Sequence, residues 1–324
     1  MATRDRPKDL VDLLLTLLDQ NYLPLDVIIV DDSLAASARK VVDSLNLRFE
    51  SHNSQLKYVK GSGDGLPAAR NLGIKNSGGE VVLFLDDDTL LDPNVVSSLA
   101  TFLRDNPTAI GVQPKILSPT GDCDDLGPAK KLENAIYKVF LLTYREKNKL
   151  AVRRSGATVF PSVLTRVISA QRLSGCCCCY KREVFNELSF DTNLKRWGFA
   201  EDLDFSHRVY KMYPQSLYAV PHSKLIHKAS RKARLPTKLG VNMTTIYGSY
   251  VFFKDIYECS ILNLMAFLLA MSGNLMVTVG WLVVKRKSRS EWLALTYLLG
   301  SCATALRHLK NIRLARLDFF NKNL

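Results

Sequence analysis

The sequence predicts an α/β fold: a doubly wound, mostly parallel sheet flanked by helices, followed by a C-terminal hydrophobic helical region. Three observations carry that expectation. Through the first two thirds of the 324 residues, short apolar runs alternate with amphipathic segments of helical length. The run Val81 to Leu85 is bounded by Gly78-Gly79 and ends abruptly in Asp86-Asp87-Asp88, as a buried central strand would at its carboxyl end. Leu262 to Val284 then gives twenty-three residues without an ionisable side chain.

In chain order, Arg6-Pro7 opens an amphipathic helix over Lys8 to Gln20, and Val27 to Val30 form a strand ending at Asp31-Asp32. Ser37 to Leu45 is a helix, Lys57 to Val59 a short strand, and Pro67 to Lys75 a helix. After the central strand, Asp92-Pro93-Asn94 reads as a helix start for Asn94 to Arg104, and Ile110 to Ile116 as the next strand. From Gly121 to Ile168 the pattern weakens, with Lys and Arg among apolar residues, which suggests a mobile, acceptor-facing insertion with at least one helix. Gly175 to Tyr180 returns to strand, Lys181 to Leu188 to helix, and Ala200 to Met212 is a helix opening on Glu201 and Asp202. The expected division is a domain over 1–235 and a basic, apolar helical membrane-associating region over 236–324.

The net charge of +13 with 47% hydrophobic residues suggests an anionic and partly apolar partner, such as a membrane surface. No nucleic-acid partner is expected, because zinc-finger spacing, a helix-turn-helix signature and aromatic ribonucleoprotein motifs are all missing from the sequence. Four of the seven cysteines are consecutive, Cys176 to Cys179. Neighbours on a strand point to opposite faces, so they build neither a disulfide framework nor a tetrahedral metal site. As free thiols they act as small hydrophobes, and with no signal peptide they indicate a reducing cytosol.

The carboxylates carry the chemistry. In an open α/β sheet, ligands bind beyond the carboxyl ends of the strands, which puts Asp86, Asp87 and Asp88 at the lip of a site. Three like charges there need a counter-charge, and a hard divalent cation, Mn²⁺ or Mg²⁺, would supply one. The plainer reading is an acidic turn with a helix cap. A second cluster, Trp197 to Asp204, uses a glycine-bearing loop to deliver Glu201 and Asp202 as a pair. A carboxylate near a reacting hydroxyl serves as a general base, and its neighbour tunes it or fixes the substrate. His227 alone reads as a structural histidine; it gains a role as a third ligand once the aspartates hold a metal. His52, His207 and His222 have no such argument.

Leu262 to Val284 is long enough to span a bilayer. Yet basic residues flank both ends, Lys224 to Lys238 and Lys285 to Arg289, and the positive-inside rule draws both to one compartment. An in-plane or re-entrant helix, with basic residues snorkelling to anionic head groups, removes the conflict. A buried helical hairpin is the alternative. The sequence carries no signal for oligomeric state.

Taken in order, Thr3-Arg4-Asp5-Arg6-Pro7, Val27 to Ser33, Gly65-Leu66-Pro67-Ala68-Ala69-Arg70-Asn71-Leu72-Gly73, Leu85 to Asp88 and Glu201-Asp202-Leu203-Asp204 resemble family 2 glycosyltransferases of the GT-A fold, over roughly residues 1 to 230. The resemblance implies an inverting transferase that moves a sugar from a nucleotide-sugar to an acceptor hydroxyl. It implies that Asp31 and Asp32 hold the base and ribose, with Thr3, Arg6 and Asp87 also in the nucleotide-sugar pocket. Arg70 would approach the diphosphate. Asp86 and Asp88 would match the Asp-x-Asp pair that meets ribose, metal and diphosphate, with His227 as third metal ligand. Asp202 would be the catalytic base beside Glu201; Asp204 faces away. The implied partners are a nucleotide-sugar donor and a membrane-held, lipid-linked acceptor, with the catalytic domain on the cytoplasmic side.

One departure is that members of this family carry an apolar first strand before the Thr-x-x-Arg-Pro segment, whereas only Met1-Ala2 precede Thr3, so the sheet is expected to lack a strand. Two competing readings are a catalytically degenerate membrane-bound scaffold and a sugar nucleotidyltransferase of related fold. The latter opens on a glycine-rich loop followed by basic residues, which this N-terminus lacks. A prenyl synthase would need Asp-Asp-x-x-Asp, and Gly61-x-Gly63-x-Gly65 lacks the dinucleotide spacing.

Overall fold

The computed structural model describes residues 1–119, 127–230, 237–284, 289–322 and 324. The chain divides into two compact units, Met1–Asp122 with Val163–Arg234, and Cys123–Ser162 with Leu235–Leu324.

The first unit begins with β1 (Ala2–Thr3), α1 (Pro7–Leu18), β2 (Asp26–Asp31), α2 (Arg39–Glu50), β3 (Gln55–Lys60), α3 (Leu66–Asn76), β4 (Val81–Leu85), β5 (Thr89–Leu91), α4 (Val95–Asp105) and β6 (Gly111–Leu117). The second unit interrupts it with α5 (Pro128–Val139), β7 (Tyr144–Glu146), β8 (Ala151–Val152) and β9 (Thr158–Pro161). The first then resumes with β10 (Ile168–Ala170), β11 (Cys177–Lys181), α6 (Val184–Glu187), α7 (Glu201–Met212) and β12 (Leu217–His227). The second is completed mainly by α8 (Thr237–Val251), α9 (Ile261–Val284) and α10 (Arg289–Arg307). The helix expected within 121–168 is α5. The basic run Lys285-Arg286-Lys287 lies outside the described residues.

The α/β class is as the sequence predicts. Strands β1, β2 and β3 form a parallel sheet, and a second sheet runs β10-β12-β6-β11-β4, with β5 also on β12. β6 and β12 are parallel, whereas β11 lies antiparallel between β4 and β6. An isolated parallel bridge from Ala2 to Asp86 sets β1 between β2 and β4. The expected gap is thus only partly closed: the short β1 occupies the carboxyl end of the space, beside Val30, Asp31 and Asp86. Beyond it, toward Asp26 and Val81, a cavity of about 570 Å³ opens, lined by Ile28, Leu83, Ile74 and Leu99 among others.

Pro7 opens α1, and Leu10, Leu13, Leu14 and Leu17 are buried at helical spacing. They pack with Val27 and Ile29 of β2, Leu99 and Leu103 of α4, and Cys177 and Cys179 of β11 in one core. Each buried leucine contributes about 1.5–3 kcal/mol relative to its exposed state. The cysteines behave as the small hydrophobes expected, all four buried as free thiols. α6 is shorter than the helix expected from Lys181. β12 was hidden in sequence by Pro221, and its register indeed shifts between Ala219 and Lys224. Its last residue is His227.

Candidate active site

The carboxyl end of β4 delivers three aspartates in three directions. Asp86 still donates its N–H to Cys176 O (3.1 Å), and its Oδ1 accepts from Arg70 Nη2 at 3.0 Å. Asp87 turns the other way: its Oδ2 accepts from the Thr3 hydroxyl (2.7 Å) and its Oδ1 from Arg6 Nη1 (3.0 Å). Asp88 accepts from the Ser230 N–H (2.8 Å) and from Arg6 (3.4 Å), and its Oδ1 lies 3.1 Å from His227 Nε2. Asp86, Asp88 and His227 offer ligand atoms all within 4.8 Å of one another. Two carboxylate oxygens and an imidazole nitrogen are a donor set that could hold a divalent cation.

Burial raises Asp86 above the usual carboxylate range despite Arg70 and His227. It also pushes Asp87 up to about 6, against the pull of Thr3 and Arg6. At Asp88 burial acts in the same direction, but the hydrogen bond and charge of His227, the Ser230 amide and Arg6 outweigh it and lower the group.

The second cluster stands on the first turn of α7, where Glu201, Asp202 and Asp204 face the positive end of the helix dipole. Ala200 before it adopts φ 66°, a left-handed turn into the helix. Glu201 Oε1 accepts from Arg70 Nη1 (2.7 Å), so Arg70 joins Asp86 to α7, while Glu201 Oε2 is buried without a hydrogen-bond partner among the described residues. Burial, reinforced by Asp202 and Asp86, pushes Glu201 up to about 8 in spite of Arg70. Asp202 Oδ2 accepts from Arg172 Nη2 (2.5 Å) and from the Gly175 N–H (3.0 Å). Burial presses Asp202 upward, yet Arg172, the Gly175 amide, Arg70 and the Leu203 amide bring it below the usual range. Asp204 is fully buried and paired to Arg208 within the helix, facing away as expected.

Asp31 and Asp32 are bound to the chain's own backbone. Asp31 accepts from the N–H groups of Ser33 (2.9 Å) and Ala38 (3.0 Å), and Asp32 from those of Gly63 (3.1 Å) and Gly65 (3.2 Å). They shape the loops after β2 and β3, and among the described residues no hydrogen bond or ion pair links them to Asp86, Asp87 or Asp88. Gly65 has φ 102°, and a Cβ there would meet the Arg196 backbone at 2.3 Å, so only glycine fits that crossing.

Sequence reasoning missed Arg172 and Gly175. Neither belongs to a spaced motif; both matter because the loop after β10 folds over α7. A Cβ on Gly175 would lie 2.7 Å from Arg70 Nη1 and 2.9 Å from Glu201 Oε1, so the glycine makes room for that pair.

The family model of glycosyl transferase family 2 matches residues 1–189. An uncharacterized glycosyltransferase of Rickettsia bellii (strain RML369-C) is 28% identical over 91 residues, which is 28% of this chain and 12% of that protein's length. The crystal structure of S. aureus TarS 1–349 superposes with a TM-score of 0.55 at 16% identity, covering 99% of this chain and 87% of the other. The mannosyltransferase PcManGT from Pyrobaculum calidifontis, solved with GDP-Man and Mn²⁺, gives 0.52 at 17% identity, covering 98% and 83%. With a family match over more than half of its length and a GT-A architecture shared with these structures, the chain belongs to glycosyl transferase family 2 and is a glycosyltransferase.

Proposed function

We propose that this glycosyltransferase is a metal-dependent, inverting enzyme that moves a sugar from a nucleotide-sugar to a hydroxyl of a lipid-linked saccharide or cell-surface glycan precursor. The observation that carries the reading is the convergence of Asp86, Asp88 and His227 beside Arg70, with Asp202 on a separate element. Those three residues would hold Mn²⁺ or Mg²⁺, which when bound supplies positive charge to a leaving diphosphate. Arg70 adds a fixed positive charge on the same side. Thr3, Arg6, Asp31, Asp32, Asp86 and Asp87 would form the nucleotide-sugar pocket. The donor class is supported by the solved relatives: TarS has been crystallised with UDP-GlcNAc and PcManGT with GDP-Man.

In the proposed reaction Asp202 takes the proton from the acceptor hydroxyl as that oxygen attacks the anomeric carbon in line with the departing diphosphate. Glu201, locked to Arg70 and buried, is the neighbour that fixes the arginine. Replacing Asp202 by Asn should abolish transfer and leave donor binding intact. Unchanged turnover would remove Asp202 from the base role. Calorimetry with UDP-, GDP- and dTDP-sugars in Mn²⁺ identifies the nucleotide.

Membrane association is part of the reading. α9 contains a window long and apolar enough to cross a bilayer, of which 22% is buried, and it exposes Leu262, Met265, Leu269, Met276 and Val283. Ala266 and Ala270 on the same helix are buried, so the apolar exposure is one-sided, as suits a helix lying in the head-group plane. α10 exposes Trp292, Leu293, Leu299 and Leu306. In this arrangement 236–324 is the membrane-associating region and 1–235 the catalytic domain, on the cytoplasmic side, where the free thiols stay reduced. Full-length protein should bind anionic vesicles, and Lys at Met265 and Met276 should weaken that binding; equal binding by the variant would count against the docking face.

A further inference from the structure

Glu201 and Asp202 are adjacent, yet a different buried arginine meets each: Arg70 on Glu201 Oε1 and Arg172 on Asp202 Oδ2. Arg172 is 7% exposed and comes from the loop between β10 and β11. That loop is braced at several points. The Ser174 N–H donates to Gln113 Oε1 (2.7 Å), Arg70 Nη2 donates to Gly175 O (2.9 Å), and the Gly175 N–H donates to Asp202 Oδ2 (3.0 Å). Arg172 therefore arrives on a fixed frame rather than on a free surface.

The two oxygens of Asp202 become unequal as a result. Oδ2 accepts from a guanidinium and a backbone amide, while among the described residues Oδ1 accepts from the Leu203 N–H alone, at 2.8 Å. Both oxygens belong to one carboxylate, but Oδ2 takes two donors and one of them is itself a cation, so Oδ2 is the anchored oxygen. The Asp202 side chain is also 25% exposed, against 6% for Glu201, so it is the member of the pair that a hydroxyl can reach.

We infer that Arg172 is a positioning residue that anchors Asp202 Oδ2 and thereby presents Oδ1 to the acceptor hydroxyl. The inference rests on Asp202 being the base. The hydroxyl proton passes to Oδ1 while the hydroxyl oxygen bonds to the anomeric carbon. The bond from that carbon to the diphosphate breaks, and its electron pair leaves with the nucleoside diphosphate. Arg172 keeps its protons and touches no substrate.

The charged and titratable groups facing Asp202 are Arg172 and Arg70, the carboxyls of Glu201 and Asp86, and the buried Cys176, Cys178 and Tyr180. Burial acts to raise Asp202, and Arg172 is first among the groups that oppose it. Removing Arg172 therefore takes away the largest of the influences that oppose burial and leaves the Gly175 amide, Arg70 and the Leu203 amide to act alone.

The test uses full-length protein with ¹³C-carboxyl aspartate, the Asp202 resonance being assigned by its loss in D202N. In R172M, whose apolar chain fills the same space, and in R172Q, the Asp202 titration midpoint should rise by about one pH unit or more, and R172K should bring it partly back. With UDP-GlcNAc or GDP-Man, Mn²⁺ and water as acceptor, the acidic limb of turnover should move up likewise, with donor KM within about twofold. A wild-type midpoint in R172M, or in R172Q should R172M not fold, overturns the inference. D202N turnover tests the base itself, so the two can fail separately: an active D202N removes the base, whereas an inactive D202N with an unmoved R172M midpoint removes only Arg172.

Discussion

His227 Nε2 stands 3.1 Å from Asp88 Oδ1, and that contact ties the end of β12 to the end of β4. β4 and β12 are not neighbours in their sheet, but β5, which begins directly after Asp88, pairs antiparallel with β12 and sets Thr89 opposite His227. Asp86, Asp88 and His227 therefore come together only when the end of β12 is paired with β5.

The proposed metal site gives the first prediction. H227A or D88N removes one of three converging ligand atoms, and Mn²⁺ affinity measured by calorimetry should fall by about tenfold or more, since even outer-shell losses cost that much. Wild-type affinity in H227A would take the histidine out of the site.

The pH dependence of stability should separate Glu201 from the rest. Burial lifts its folded-state value to about 8 from 4.5, so the native protein holds a proton that the unfolded chain releases across that window. Its contribution is present below pH 4.5 and is lost as pH rises toward 8. Asp87, raised by burial to about 6, contributes in the same direction over a narrower window, so the raw curve mixes several groups. The difference between E201Q and wild type isolates Glu201, and in urea titrations E201Q should gain on wild type steadily as pH climbs from 5 to 8. A flat difference would mean that Glu201 is ionised throughout.

Arg70 serves two carboxylates at once, Glu201 at 2.7 Å and Asp86 at 3.0 Å. R70M should leave Asp86 without its guanidinium and Glu201, which holds its proton at pH 7, without that hydrogen bond, and cost about 1–3 kcal/mol of unfolding free energy. Denaturant midpoints at pH 7 measure it. A loss below 1 kcal/mol would show that bound water replaces the guanidinium.

Gly175→Ala should be damaging although it adds one methyl group. The new carbon would sit within 2.9 Å of Arg70 and Glu201 atoms on both sides of their ion pair. Overpacking at such a point costs about 1–3 kcal/mol. Thermal melts of G175A alone and with E201Q measure it: the double variant should lose less than the sum of the singles, whereas full additivity would separate the glycine from the pair.

Much of this was legible in the sequence because it is local. Val81 to Leu85 followed by Asp86 to Asp88 is a strand and the carboxylates at its end in one run, and Glu201-Asp202 opens α7 as its carboxylates suggest. His227 could be proposed only through the aspartates, and its place beside Asp88 needed β12, which Pro221 concealed. Arg172 was invisible, since a loop arginine has no period or spacing. Only the fold reveals that it faces Asp202 rather than solvent.

The cavity beside β1 bears on how this protein answers hydrostatic pressure. The space of about 570 Å³ is lined largely by apolar side chains and reaches the surface at Val81. Compression favours the smaller total volume, so whatever part of that space water does not fill lowers the pressure at which the fold opens. Ala100, on the cavity wall in α4, offers the means to check it. A leucine there should raise the pressure midpoint followed by high-pressure fluorescence more than it raises the melting temperature.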